Sequence, residues 1–121
     1  MPDQFSKEIR SKFTENGFIE LSIESVNKPV PLENEVLVKV QASPINPSDI
    51  GLLISFAADP DSIIITGFGE KTVLKVKIHP SLIPSMKGRL GLSMKVGNEG
   101  SGVIEKAGEK YKDLIGKTVS T

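Results

Sequence analysis

Four glycines interrupt what would otherwise be a β-strand in the run Gly97-Asn98-Glu99-Gly100-Ser101-Gly102-Val103-Ile104-Glu105-Lys106-Ala107-Gly108. Glycine gives up the most backbone entropy on folding and brings no side chain to pack. Clustered glycines in a strand therefore call for a positive φ, a bulge, or a second backbone or a ligand pressed against the chain. Val103 and Ile104 are strand formers, and Ala107-Gly108-Glu109 has turn chemistry. From the residues alone this is a bulged strand at the wall of a β-barrel, with Glu99 the only charge in its first half.

The flanking sequence is built from short strands punctuated by turn residues. Thr14-Glu15-Asn16-Gly17 ends in Asn-Gly, a strong two-residue hairpin signal, so the fold is expected to begin with a β-hairpin after residues 7–13. Phe18 to Glu24 alternates, with Ile19, Leu21 and Ile23 on one face and Glu20, Ser22 and Glu24 on the other, as in a half-buried strand. Pro29 and Pro31 break the sheet, and Val36-Leu37-Val38-Lys39-Val40-Gln41-Ala42 resumes it with β-branched residues. Residues 62–66 are too short to type by periodicity and are expected to form a buried strand or strand-like segment. Residues 71–78 alternate and are expected to form an exposed edge whose lysines deter further pairing. Residues 80–91, with two prolines and two glycines, predict irregular chain containing one helical turn. Gly116 then turns the chain into a last strand. Several short strands with Gly and Pro turns and no internal repeat describe a mainly β barrel or sandwich with a few short helices.

Between strands, Asn46-Pro47-Ser48-Asp49 reads as the start of a helix running to about Ser55. Asn46 suits the N-cap, Pro47 the first helical position, and Asp49 the positive end of the helix dipole. On the residues alone this is a capped loop-to-helix transition.

Composition excludes several functions. With 15 basic and 15 acidic residues in 121, the chain has no net charge and no electrostatic footprint for nucleic acid. Cysteine is absent, which removes disulfides and thiolate metal sites and agrees with a cytoplasmic setting. Neither a leader-like start nor a long apolar run is present, so no membrane partner is expected. The single histidine, His79, reads as a surface residue, since a zinc site needs several donors.

Three of these stretches, in this order, resemble the N-terminal catalytic domain of the medium-chain dehydrogenases and reductases, which has a GroES-like barrel fold. Val36 to Ala42 is similar to the family's "EVLVKV.A" strand, Asn46-Pro47-Ser48-Asp49 to its next loop, and Gly97 to Val103 to its "GxExxGxV" signature. Ile115-Gly116-Lys117-Thr118-Val119 resembles the "GDrV" closing, with Lys117 in place of the usual Asp. The resemblance covers most of residues 1–121, with an apparent insertion around residues 63–93.

The resemblance further implies a branch. Zinc-dependent members carry cysteine, then histidine, where this chain has Asn46 and Pro47, and another histidine where it has Asn98. An amide is a poor zinc donor and Glu99 alone cannot hold the metal, so no metal site is expected. What remains is similar to the zinc-independent quinone oxidoreductases and enoyl reductases, in which NADPH delivers hydride to a quinone or an activated alkene such as an enone or enal. The resemblance places Asn46 beside the nicotinamide and the substrate, gives Ser48 a hydrogen-bonding role, and puts Asn98 and Glu99 in the substrate cleft. The helix after Asn46 lacks the tyrosine that often polarises the substrate in this branch, and Tyr111 is the only tyrosine in the chain. No proton donor is identified.

Family members also carry a Rossmann domain after the barrel, and often form homodimers. No βαβ unit with a Gly-rich turn opening a helix is readable here, and Gly97 to Gly102 lacks that context. Residues 1–121 are therefore expected to be one GroES-like domain of a two-domain oxidoreductase, inactive without its Rossmann partner. The alternative is a stand-alone GroES-like barrel acting as a protein-interaction module.

Overall fold

The computed structural model describes residues 4–56 and 58–121. The chain is mainly β, with two open antiparallel sheets belonging to two compact units. One unit comprises Phe5–Val26 and Asn46–Val96; the other comprises Gln4, Asn27–Ile45 and Gly97–Thr121.

The first unit holds strands β1 (Phe5–Phe13), β2 (Phe18–Asn27, whose last residue passes to the other unit), β4 (Ile64–Thr66), β5 (Val73–Lys77) and β6 (Ser93–Lys95). They are ordered β4-β5-β2-β1-β6. The Asn-Gly hairpin is present: Gly17 has φ +79°, its N–H donates to the Thr14 carbonyl at 3.0 Å, and the Thr14 N–H donates to the Phe18 carbonyl at 2.8 Å. Burial along β2 falls off as the strand proceeds. Ile19 is fully buried, Leu21 is half-buried and Ile23 is 40% exposed. The reason is that the core lies toward one end of the sheet, where Phe13, Ile19, Val76, Ile78 and Met86 pack with Ile54, Ala58 and Ile83. Phe13, Ile19, Val76, Ile78 and Met86, the buried members, each contribute roughly 1.5–3 kcal/mol by leaving water.

Two sequence expectations change in this unit. Residues 62–66 do not form a buried strand. β4 is a three-residue edge strand, and Ile64 and Ile65 are 49% and 64% exposed. Residues 71–78 do not form an edge, because β5 is paired on both sides, with β4 through Ile65↔Leu74 and with β2 through Ile19↔Val76. Its lysines are accommodated by charge pairing: Lys75 lies opposite Glu20 and meets its carboxylate at 3.0 Å. Alternation reports that one face is polar, which is equally true of an interior strand with one solvated face. Residues 80–89 are more regular than expected, forming consecutive 3₁₀ turns that carry buried Met86.

The second unit is the sheet β3-β7-β8, formed by β3 (Val36–Ala42), β7 (Ser101–Ala107) and β8 (Thr118–Ser120). β3 has the limits expected from the sequence. The β3–β7 register shifts between Leu37 and Val38 and again between Val40 and Ala42. The glycines serve different ends. Gly97 and Gly116 occupy positive φ, at +101° and +88°. A Cβ on Gly102 would lie 2.0 Å from the Lys39 carbonyl oxygen, and one on Gly108 would lie 2.0 Å from that of Leu32. Glycine is thus required at 102 and 108 by an opposing backbone.

Lys28 and Glu105 tie this unit together through a 3.1 Å ion pair. Hydrogen bonding from Lys28 holds the Glu105 carboxyl below its ordinary pKa, assisted by the charges of Lys28, Lys39 and Lys106 and opposed by desolvation. A lowered folded-state pKa stabilises the fold above the unfolded-state value, and that contribution is lost as pH falls through the folded value. Glu105→Gln should therefore lower the melting temperature slightly at neutral pH. The difference from wild type should vanish when both are melted in acid below the carboxylate range.

Candidate functional site

The expected site residues fall in both units, Asn46 and Ser48 in the first and Asn98 and Glu99 in the second.

Asn46 is the N-cap of α1 (Pro47–Leu53), with extended backbone at φ −96° and ψ 159°. Its N–H donates to the Asp49 carboxylate at 2.7 Å, while the Asp49 N–H donates to the Asn46 carbonyl at 2.9 Å. Asp49 is buried, so it acts as a fixed capping group as well as a charge at the helix start. The helix is shorter than expected. It stops because Ser55 takes φ +65°, the left-handed conformation that closes a helix, with its N–H donating to the Gly51 carbonyl at 3.1 Å. Asn46 is half-buried and Ser48 exposed, so a hydroxyl and a carboxamide stand at the helix start while Asp49 holds the backbone beneath them.

In the second unit, residues 42–44 at the end of β3, residues 99–101 of the glycine run, and residues 120–121 line an open pocket of about 520 Å³. The Thr121 N–H donates to the Gly100 carbonyl at 2.8 Å, which fixes one wall. A Cβ on Gly100 would approach Val40 and the Ser43 hydroxyl at 3.2 and 3.3 Å, so this glycine opens the pocket floor without being sterically obligatory. Glu99 is exposed at the rim and is the only charged residue in the lining. Three serine hydroxyls and a carboxylate, with no lining cation, can hydrogen-bond a polar small molecule but would repel phosphates. Asn98 precedes Glu99 on the same exposed segment.

Among the described residues there is no group of three or more histidine, cysteine, aspartate or glutamate side chains arranged to hold a metal. His79 is exposed and caps the following 3₁₀ segment, its Nδ1 2.7 Å from the Ser81 hydroxyl. No helix among the described residues is long and apolar enough to cross a membrane.

Sequence reasoning missed the group beneath the other end of α1. Arg89 donates from Nη2 to the Leu52 carbonyl at 3.1 Å and to the Ser11 hydroxyl at 3.0 Å. Ser11, fully buried, donates in turn to the Leu53 carbonyl at 2.7 Å. Arg89 lies in a proline- and glycine-rich stretch with no periodicity to single it out, and nothing in the sequence links it to a serine 78 positions away.

A comparison with family models and with curated proteins finds no match to this chain.

Proposed function

We propose that this chain is the substrate-side, GroES-like domain of a zinc-independent, NAD(P)H-dependent oxidoreductase that reduces quinones or activated alkenes in the cytoplasm. The observation that carries the reading is the meeting of two of its motifs. Residues 42–44, at the end of the "EVLVKV.A"-like strand, and residues 99–101 of the "GxExxGxV"-like run line one pocket. The third motif starts α1, where Asn46 and Ser48 present an amide and a hydroxyl above a buried capping aspartate.

The chemistry asked of these residues is modest. NADPH, when bound, supplies the hydride, and the protein orients it, hydrogen-bonds the oxygen that gains charge, and excludes water. Asn46 is assigned the orienting role and Ser48 the hydrogen bond, with Asn98 and Glu99 at the substrate side. Among the described residues no group is arranged to hold zinc, and this reading assigns hydrogen bonding of the substrate oxygen to Ser48.

The coding sequence beyond Thr121 and the activity of the protein it specifies test this reading. The expected result is a βαβ unit with a Gly-rich turn, and NADPH oxidation that depends on an added quinone or enone. A protein with no dinucleotide-binding unit and no such turnover would overturn the enzyme reading in favour of an interaction module.

A further inference from the structure

We propose that Arg89 is a positioning residue for the Asn46–Ser48 segment, acting through the opposite end of α1; its catalytic consequence rests on the function proposed above. α1 has seven residues, far below the length at which a helix holds itself together in water, so its placement must come from tertiary ties at its ends. The Asn46–Asp49 pair is a local cap that shapes the N-terminus without tying it to another segment. At the C-terminus the helix has no basic residue in its own last turn to satisfy its carbonyls. Arg89 supplies that cation from a distant segment, bonding the Leu52 carbonyl directly and the Leu53 carbonyl through Ser11. A cation at a helix C-terminus also opposes the negative end of the dipole.

The geometry is restrictive as well as favourable. One guanidinium nitrogen bridges the helix end to β1, because Ser11 is a β1 residue, while the arginine itself ends the 3₁₀ turns that pack Met86 into the core. Three segments are therefore joined at one group. Over so short a helix, a tilt at the Leu52–Leu53 end moves Asn46 and Ser48 by a comparable amount. Displacements of about 1 Å cost up to roughly a hundredfold in hydride-transfer-type positioning. A lysine at 89 restores the charge, but its flexible stem and compact ammonium hold the two acceptors less rigidly than one nitrogen of a planar guanidinium does.

Backbone NMR of the 121-residue chain tests the positioning directly, using Arg89→Met, which keeps the stem but removes the guanidinium, and Arg89→Lys. The expected result for Arg89→Met is altered amide shifts and faster hydrogen exchange at Asn46, Ser48 and Asp49, with Ile19 and Val76 in the sheet core unchanged. Arg89→Lys should give a partial effect in the same direction. Unchanged signals at residues 46–49 would overturn the proposal. So would a uniform loss of protection across the sheet in both variants, since that is the signature of a stability role alone.

The second readout belongs to the two-domain enzyme, where Arg89→Met should lower kcat about tenfold or more with little change in the KM for substrate. An equal kcat for wild type and variant would overturn the catalytic consequence. If the wild-type protein shows no NADPH-dependent reduction while the NMR result holds, the proposed function fails and the positioning of residues 46–48 by Arg89 stands.

Discussion

Gly102→Ala is expected to destabilise the protein by about 3 kcal/mol, at the upper end of the range for overpacked sites. Its added Cβ would lie 2.0 Å from the Lys39 carbonyl oxygen, 2.7 Å from the Lys39 carbonyl carbon and 2.8 Å from the Val40 Cα. All three are backbone atoms of β3, which cannot rotate aside as a side chain can, so β3 must separate from β7 where Val40 pairs with Gly102. Gly108→Ala should be comparably severe, because its Cβ would meet the Leu32 and Glu33 carbonyl oxygens at 2.0 and 2.4 Å. Two neighbouring glycines serve as controls. Gly97→Ala meets nothing within 4 Å and carries only the cost of φ +101°, on the order of 1 kcal/mol. Gly100→Ala meets its neighbours at 3.2 Å or more and should cost less than about 1 kcal/mol. Urea titration of the four variants gives the order, and a Gly102→Ala midpoint no lower than that of Gly100→Ala would show that β3 and β7 are not so closely apposed.

The second large effect concerns activity. Residues 1–121 alone are expected to show neither saturable NADPH binding at micromolar cofactor nor reduction of a quinone or an enone. In the proposed two-domain arrangement the pyrophosphate is held at a Rossmann helix N-terminus and its glycine turn. Here both sheets are antiparallel, and the Gly97 to Gly102 run leads into β7 rather than opening a helix. The pocket at that run carries Glu99 and no lining cation, which disfavours phosphate further. Without the pyrophosphate anchor the nicotinamide is not held in hydride-transfer geometry, a positioning contribution of roughly 7–11 kcal/mol in favourable intramolecular cases. Calorimetric titration with NADPH and an absorbance assay on both acceptor classes would check this. Turnover by residues 1–121 would show that the dinucleotide is bound by residues not assigned to it here.

Local chemistry made much of the fold readable. The Asn16-Gly17 hairpin, the limits of β3, the Asn46 N-cap with Pro47 at the first helical position, and the turn at Gly116 each depend on residues within a few positions of one another. The glycine run was readable only as a set of alternatives: a positive φ, a bulge, or a backbone or ligand pressed against it. The structure uses all three: Gly97 takes the positive φ, the register shifts opposite Gly102, and β3 presses on Gly102 itself.

Strand neighbours were not readable. Alternation in residues 71–78 identified a polar face, but only the sheet order shows that β5 has β2 on one side and β4 on the other. Residues 63–65 are three isoleucines, whose hydrophobicity argued for burial; their place at the edge of the sheet leaves them exposed.

What the sequence by itself determined about this protein is the Asn16-Gly17 hairpin, the strand Val36–Ala42, the capped helix at Asn46 and a residue content with no cysteine and one histidine, because each depends on residue type and near-neighbour backbone geometry. Only the tertiary structure decided which strands are interior, that Gly102 is held against Lys39, and that Arg89 and Ser11 secure the end of the helix that begins at Asn46. Those contacts join residues dozens of positions apart, and no local propensity encodes which distant backbone carbonyl a guanidinium will reach.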